Sequence, residues 1–141
     1  MIAVDTNILV YAHREEYPRH AQAKAAILEL AASPGPWGVP VFCLGEFVRV
    51  TTHRKIHNPP SSLEVAVDFL DRLCALGNFR VLGSDVEYWD DLKAALEHAG
   101  ARGNLAFDAQ IAAVCTRHGA TLLTADRDFA RFSIRTEALR A

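Results

Sequence analysis

Apolar residues fall into short blocks divided by polar turns, and the period within each block sets the element. Met1 to Val4 is a compact apolar run, the pattern of a buried strand. Asp5-Thr6-Asn7 interrupts it with turn- and cap-forming residues, and Ile8 to Ala12 resumes as a short helix. After a polar loop, His20 to Ala32 places Ala23, Ile27, Leu30 and Ala31 on one helical face, and Ser33-Pro34-Gly35-Pro36 stops it. Trp37 to Val39 predicts a second strand, and Pro40 suits the first turn of a helix from Val41 to about Thr52. A polar, partly basic loop runs from His53 to Pro60. Ser61-Ser62-Leu63-Glu64 reads as a capping box with Ser61 as N-cap. The helix it opens reaches about Leu76 and turns Leu63, Val67, Leu70, Leu73 and Cys74 to one side. Phe79 to Leu82 predicts a third strand. Ser84 or Asp85 caps a helix to about Ala99, with Val86, Trp89, Leu92 and Leu96 inward.

Residues 103–129 carry the densest signal. Phe107, Ile111, Val114 and Cys115 recur at i, i+4, i+7 and i+8, a helical stripe with Asn104 as N-cap and Gly119 as its C-terminal stop. Thr121 to Thr124 predicts a strand, Phe129 to Phe132 a turn, and Ser133 to Thr136 a last short strand. The first four strands are thus separated by helices. This predicts an α/β fold, a mostly parallel central sheet flanked by helices on both faces, in one domain spanning 1–141.

Composition narrows the function. Apolar residues make up 50% and charged residues 23%, ordinary values for a globular chain. The net charge of −2 gives no global basic field, so nucleic-acid binding would need a local patch or metal ions. Cys43, Cys74 and Cys115 each fall in an apolar helical pattern with no C-x-x-C pair, which reads as three buried thiols in a reducing cytoplasm. The opening MIAVDTNILVYAH lacks the marks of a signal peptide, and no apolar run approaches the ~20 residues of a membrane span. A cytoplasmic protein without membrane contact is the expectation.

Four acids stand out: Asp5 and Asp126 just past apolar strands, Glu46 within an apolar helix, and Asp108 in the first turn of another. Each alone has a plain structural reading as a cap, a turn residue or part of a solvated stripe. Together, four carboxylates at neutral pH need shared protons or a bound cation. All-oxygen ligands suit Mg²⁺ or Mn²⁺, and a cation completed by phosphate ligands suits phosphoryl chemistry. Asn7 and Thr124 are candidates to orient an acid or a metal-bound water, Asn7 reading equally well as a plain turn residue, and Asp128 reads as a turn residue or a supporting acid.

With these residues in hand, the chain resembles the PIN-domain ribonucleases, and most closely the VapC toxins of bacterial VapBC toxin–antitoxin systems. The matching pieces are VDTNILVYA at 4–12, LGEFVRVTT at 44–52, NLAFDAQIAA at 104–113 and TLLTADRDF at 121–129. The resemblance implies a PIN fold in which Asp5, Glu46, Asp108 and Asp126 form the acidic quartet, with Asp5 and Asp108 the principal Mg²⁺ ligands. It implies an endoribonuclease that cuts RNA with metal-activated water, leaving a 5′-phosphate and a 3′-hydroxyl. It also implies a VapB-like antitoxin that covers the acidic pocket, and a homodimer.

RNA contact is expected from Arg49, His53, Arg54, Lys55 and His57, with Arg14, Arg19, Arg102, Arg127 and Arg131 as further cations. His53 and His57 have zinc-compatible spacing but lie in a loop and lack the H-E-x-x-H glutamate. Three other readings compete, the last-ranked being a non-catalytic binding module with a PIN-like fold, which would tolerate loss of the four acids present here. A housekeeping PIN-type RNA-processing nuclease would share the site. A haloacid-dehalogenase-type phosphatase needs a second acid where Asn7 stands.

Overall fold

A computed structural model describes residues 1–141. Strands β1 (Ile2–Val4), β2 (Trp37–Pro40), β3 (Phe79–Leu82), β4 (Thr121–Leu123) and β5 (Thr136–Glu137) form one sheet in the order β3-β2-β1-β4-β5. Every pairing is parallel, and Ile2 lies opposite Trp37 on one side and Thr121 on the other. Six helices connect the strands: α1 (Thr6–His13), α2 (His20–Ala32), α3 (Val41–Thr51), α4 (Leu63–Cys74), α5 (Tyr88–Ala99) and α6 (Leu105–His118). The path runs outward from β1 to β3 and then returns to β4 beside β1. Right-handed crossovers place the first four helices on one face and α5 and α6 on the other.

The core follows from this layering. Ala3, Val4, Val39, Leu122 and Leu123 of the central strands are buried, together with Ile8 and Leu9 of α1, Phe47 of α3, and Ile111, Val114 and Cys115 of α6. Gly38 sits where β2 meets β3, and a Cβ there would collide with the Arg80 carbonyl oxygen and the Leu82 side chain. The two strands approach this closely only because residue 38 has no side chain.

Several sequence expectations shift by a residue or a face. Ser62, not Ser61, caps α4, accepting from the Val65 N–H at 3.1 Å. Ser61 is held elsewhere, its Oγ bound by His13 Nε2 and Arg14 Nη1, each at 3.0 Å. α4 buries Ala66 and Leu73, whereas Leu63, Val67 and Cys74 are exposed. α5 starts at Tyr88 with Glu87 at its N-cap, not Ser84 or Asp85, so Val86 lies in the exposed turn before it. On the helix the packed side is Tyr88, Leu92, Ala95, Leu96 and Ala99, while Trp89 faces solvent. In both helices small alanines let the backbone approach the layer beneath, a signal that apolar periodicity underweights. The last strand starts three residues later than expected, at Thr136, and Arg127–Arg131 forms a 3-10 turn. Cys43 and Cys115 are buried as expected, so only two of the three thiols lie in the core.

Candidate active site

Where a parallel sheet reverses its winding, the carboxyl ends of the two central strands leave a crevice. Here those strands are β1 and β4, and Asp5 and Thr124 are the first residues beyond them. Asp5 ends β1 by capping α1: its Oδ1 accepts from the Thr6 N–H at 2.7 Å. Its Oδ2 accepts from Thr124 Oγ1, also at 2.7 Å. The same Thr124 oxygen accepts from the Asp126 N–H at 3.0 Å. Thr124 therefore fixes both acids. Asn7 closes the corner, its Oδ1 accepting from the Ala125 N–H at 3.4 Å. Asp126 in turn caps the 3-10 turn through a 2.9 Å bond from the Asp128 N–H.

The other two acids come from helices that start near this rim. α3 springs directly from Pro40 at the end of β2 and carries Glu46, while α6 brings Asp108 in its first turn. Carboxylate oxygens of Asp108, Asp126 and Asp128 lie within 4.8 Å of one another. Asp128, weighed lowest from sequence, thus belongs to the tightest group. Asp5 and Glu46 lie outside that trio but act on it electrically. Burial, with a smaller push from the charges of Glu46 and Asp126, raises the Asp5 carboxyl to about 6 against the Thr124 and Thr6 hydrogen bonds. Burial likewise raises Asp108 to about 6, helped by Asp126, Asp5, Asp128 and Glu46. The fold has gathered the four acids into one repelling group, and an all-oxygen donor set of this kind fits a hard divalent cation.

The expected RNA contacts divide. Arg49 is exposed one turn beyond Glu46 and borders a groove of about 530 Å³ with Gly45, Glu46, Asn104 and Phe107. Arg54 and Lys55 are exposed in the loop after α3 but do not line that groove, and His53 Nδ1 is turned to the Lys55 N–H at 3.1 Å. His57 is not a surface contact. It is buried, with Nε2 at 2.8 Å from the Tyr17 hydroxyl and Nδ1 at 3.0 Å from the Val50 carbonyl. Both ring nitrogens being engaged, it has none left for zinc. Arg14 is tied to Glu16, Ser61 and Pro59, and Arg19 to the Leu139 carbonyl, so both serve the fold. Phe107 reverses its expected place: it begins the predicted core stripe yet is 64% exposed beside the acids. Its position next to Asp108 was the available hint.

Comparison with known proteins identifies the family and the fold. The family model described as the PIN domain matches residues 2–134. Ribonuclease VapC43 of Mycobacterium tuberculosis is 36% identical over 132 residues, covering 94% of this chain and 90% of that protein. Two solved structures share the fold: VapBC2 from Rickettsia felis bound to a DNA fragment from its promoter, and the sarcin–ricin-loop-cleaving toxin VapC20 of Mycobacterium tuberculosis. The first has a TM-score of 0.69 and 21% identity, covering 99% of this chain and 100% of that one. The second has a TM-score of 0.69 and 22% identity, covering 92% and 93%. The chain belongs to the PIN-domain family, in its VapC ribonuclease branch. No helix is long and apolar enough to cross a membrane.

Proposed function

We propose that this protein is a divalent-cation-dependent endoribonuclease, the toxin of a type II toxin–antitoxin pair, with Asp5, Glu46, Asp108 and Asp126 as its catalytic acids. The observation that carries the reading is the Asp5–Thr124–Asp126 hydrogen-bond chain across the β1/β4 crevice, with Asp108 facing it. Asp5 and Asp108 would be the principal ligands of Mg²⁺ or Mn²⁺, with Asp126 and Asp128 beside Asp108. Such a cation, when bound, supplies positive charge to a phosphodiester and acidifies water at neutral pH. The chain's own residues do the rest. Thr124 holds the buried Asp5 in one orientation, and Arg49 draws the RNA backbone toward Glu46.

The partner follows from the same reading. Solved structures that share this fold include toxin–antitoxin assemblies, two of them bound to DNA. A small VapB-like protein would cover the acidic crevice of this chain and silence it. The test is direct. Purified protein with Mg²⁺ or Mn²⁺ should cut RNA to 5′-phosphate and 3′-hydroxyl ends, and Asp5→Asn and Asp108→Asn should not. Growth arrest on expression alone, relieved by a cognate antitoxin, separates a toxin from a housekeeping nuclease of the same fold.

A further inference from the structure

Beside the acids, α3 and the start of α6 border the groove of about 530 Å³ described above. Of its five lining residues, three carry side chains that do no work for the fold. Phe107 leaves 64% of its surface in solvent, although the same helix buries Ile111, Val114 and Cys115. Asn104 stands at the N-cap of α6 but makes no capping hydrogen bond, which leaves its amide free. Arg49 is exposed and, unlike Arg14, Arg72, Arg117 and Arg140, forms no ion pair.

The fourth feature is an absence. Gly45 lies inside α3, where glycine weakens a helix. A Cβ at residue 45 would meet nothing within 4 Å, and its φ is not positive. Neither packing nor backbone conformation calls for glycine here. The space it leaves open belongs to the groove.

A flat apolar face, a free amide and an unpaired guanidinium around an open floor match the parts of one nucleotide. Single-stranded RNA is recognised by stacking splayed bases on aromatic rings and hydrogen-bonding their edges, while phosphate takes the cation. Asn and Arg supply the donors and acceptors for this. Glu46 belongs both to the groove and to the acid group, so its occupant adjoins the reacting phosphate. We propose that the Gly45–Arg49–Asn104–Phe107 groove seats one unstacked base of single-stranded RNA next to the bond to be cut, with Phe107 as the stacking platform. This rests on the nuclease reading and adds to it: Phe107 supplies affinity for one unpaired base beside the bond to be cut, whatever that base is.

The test compares parent, Phe107→Ala, Phe107→Trp and Gly45→Leu on a short random-sequence single-stranded RNA pool with Mg²⁺, followed by initial rates and by fluorescence anisotropy. Phe107→Ala should raise KM and Kd about tenfold or more while kcat changes little, and Phe107→Trp should restore both. Gly45→Leu should mimic Phe107→Ala by filling the floor, and circular dichroism should show all variants folded. Annealing the pool to its complement should abolish the difference between parent and Phe107→Ala. Equal KM and Kd for parent and Phe107→Ala would overturn the base seat. So would a loss confined to kcat, which would mark a disturbance of Asp108. So would unchanged RNA handling with failed capture of a co-expressed antitoxin, which would make the groove a protein dock. A parent that binds RNA with Phe107-dependent affinity yet cuts none keeps the seat and sinks only the nuclease reading. A parent that binds no RNA sinks both.

Discussion

Thr124 Oγ1 donates to Asp5 Oδ2 across 2.7 Å, joining the carboxyl ends of two neighbouring parallel strands that lie 119 residues apart in sequence. Both residues are almost fully buried, so the bond is sheltered from water. Thr124→Val should remove a donor to Asp5 and an acceptor for the Asp126 N–H at once. The expected cost is about 1–3 kcal/mol in urea unfolding and roughly a 10–100-fold loss of metal affinity or cleavage rate. Thr124→Ser should keep most of both.

The two raised carboxyls give a pH signature. Asp5 and Asp108 move from 3.8 unfolded to about 6 folded, so between those values the folded protein holds protons that the unfolded chain has lost. Cation-free protein escapes this penalty below about pH 3.8, loses stability as pH rises through the window, and carries the full penalty above about 6. Asp5→Asn should therefore gain stability relative to the parent across that window, by at most about 3 kcal/mol at neutral pH. Asp108 is only half-buried, and solvent screening makes its gain smaller. Parent and variants melted in chelator from pH 4 to pH 8 give the readout, and a gain that shrinks as pH rises would contradict it.

Cation addition should reverse the penalty. At about a hundredfold excess over Kd, Mg²⁺ or Mn²⁺ should stabilise the parent by about 2.7 kcal/mol. Asp108→Asn should remove most of that rise in Tm, seen by differential scanning fluorimetry with and without chelator.

Gly38→Ala should destabilise the sheet without touching the acids. Its Cβ has no room against the Arg80 carbonyl, so β3 must shift, at about 1–3 kcal/mol. Denaturant unfolding should show the loss.

Tyr17→Phe probes the loop after α3. Removing the hydroxyl leaves the buried His57 Nε2 without its 2.8 Å partner. A loss of about 1–3 kcal/mol with unchanged KM for RNA would mark His57 as a structural residue.

How much of this was legible in sequence depended on what each residue answers to. Strands β1 to β4 and the sheet class follow from short apolar runs between helical stretches, and the structure keeps them. Asp5 and Asp126 were visible because a strand end is a local feature. Asp108 and Glu46 were visible as acids in apolar surroundings. Faces were harder. Trp89 and Phe107 carry the hydrophobicity of core residues, yet which side of a helix packs is settled by a distant partner and by small residues such as Ala66 and Ala95. Asp128 looked like a turn residue because its neighbours in space, Asp108 above all, are not its neighbours in sequence. Gly45 gave no signal at all, since only the empty space above it shows that nothing in the fold asks for a glycine.

The span from Asp5 to Thr124 also sets when the centre comes into being during synthesis. A chain still on the ribosome carries Asp5 and Glu46 long before β4 and Thr124 are made. Until then, the threonine that locks the first acid does not exist, and β1 lacks one of its two flanking strands. A chain that terminates before residue 124 lacks the hydroxyl that orients Asp5 and lacks Asp126 as well, so the acid group is assembled only as synthesis nears its end.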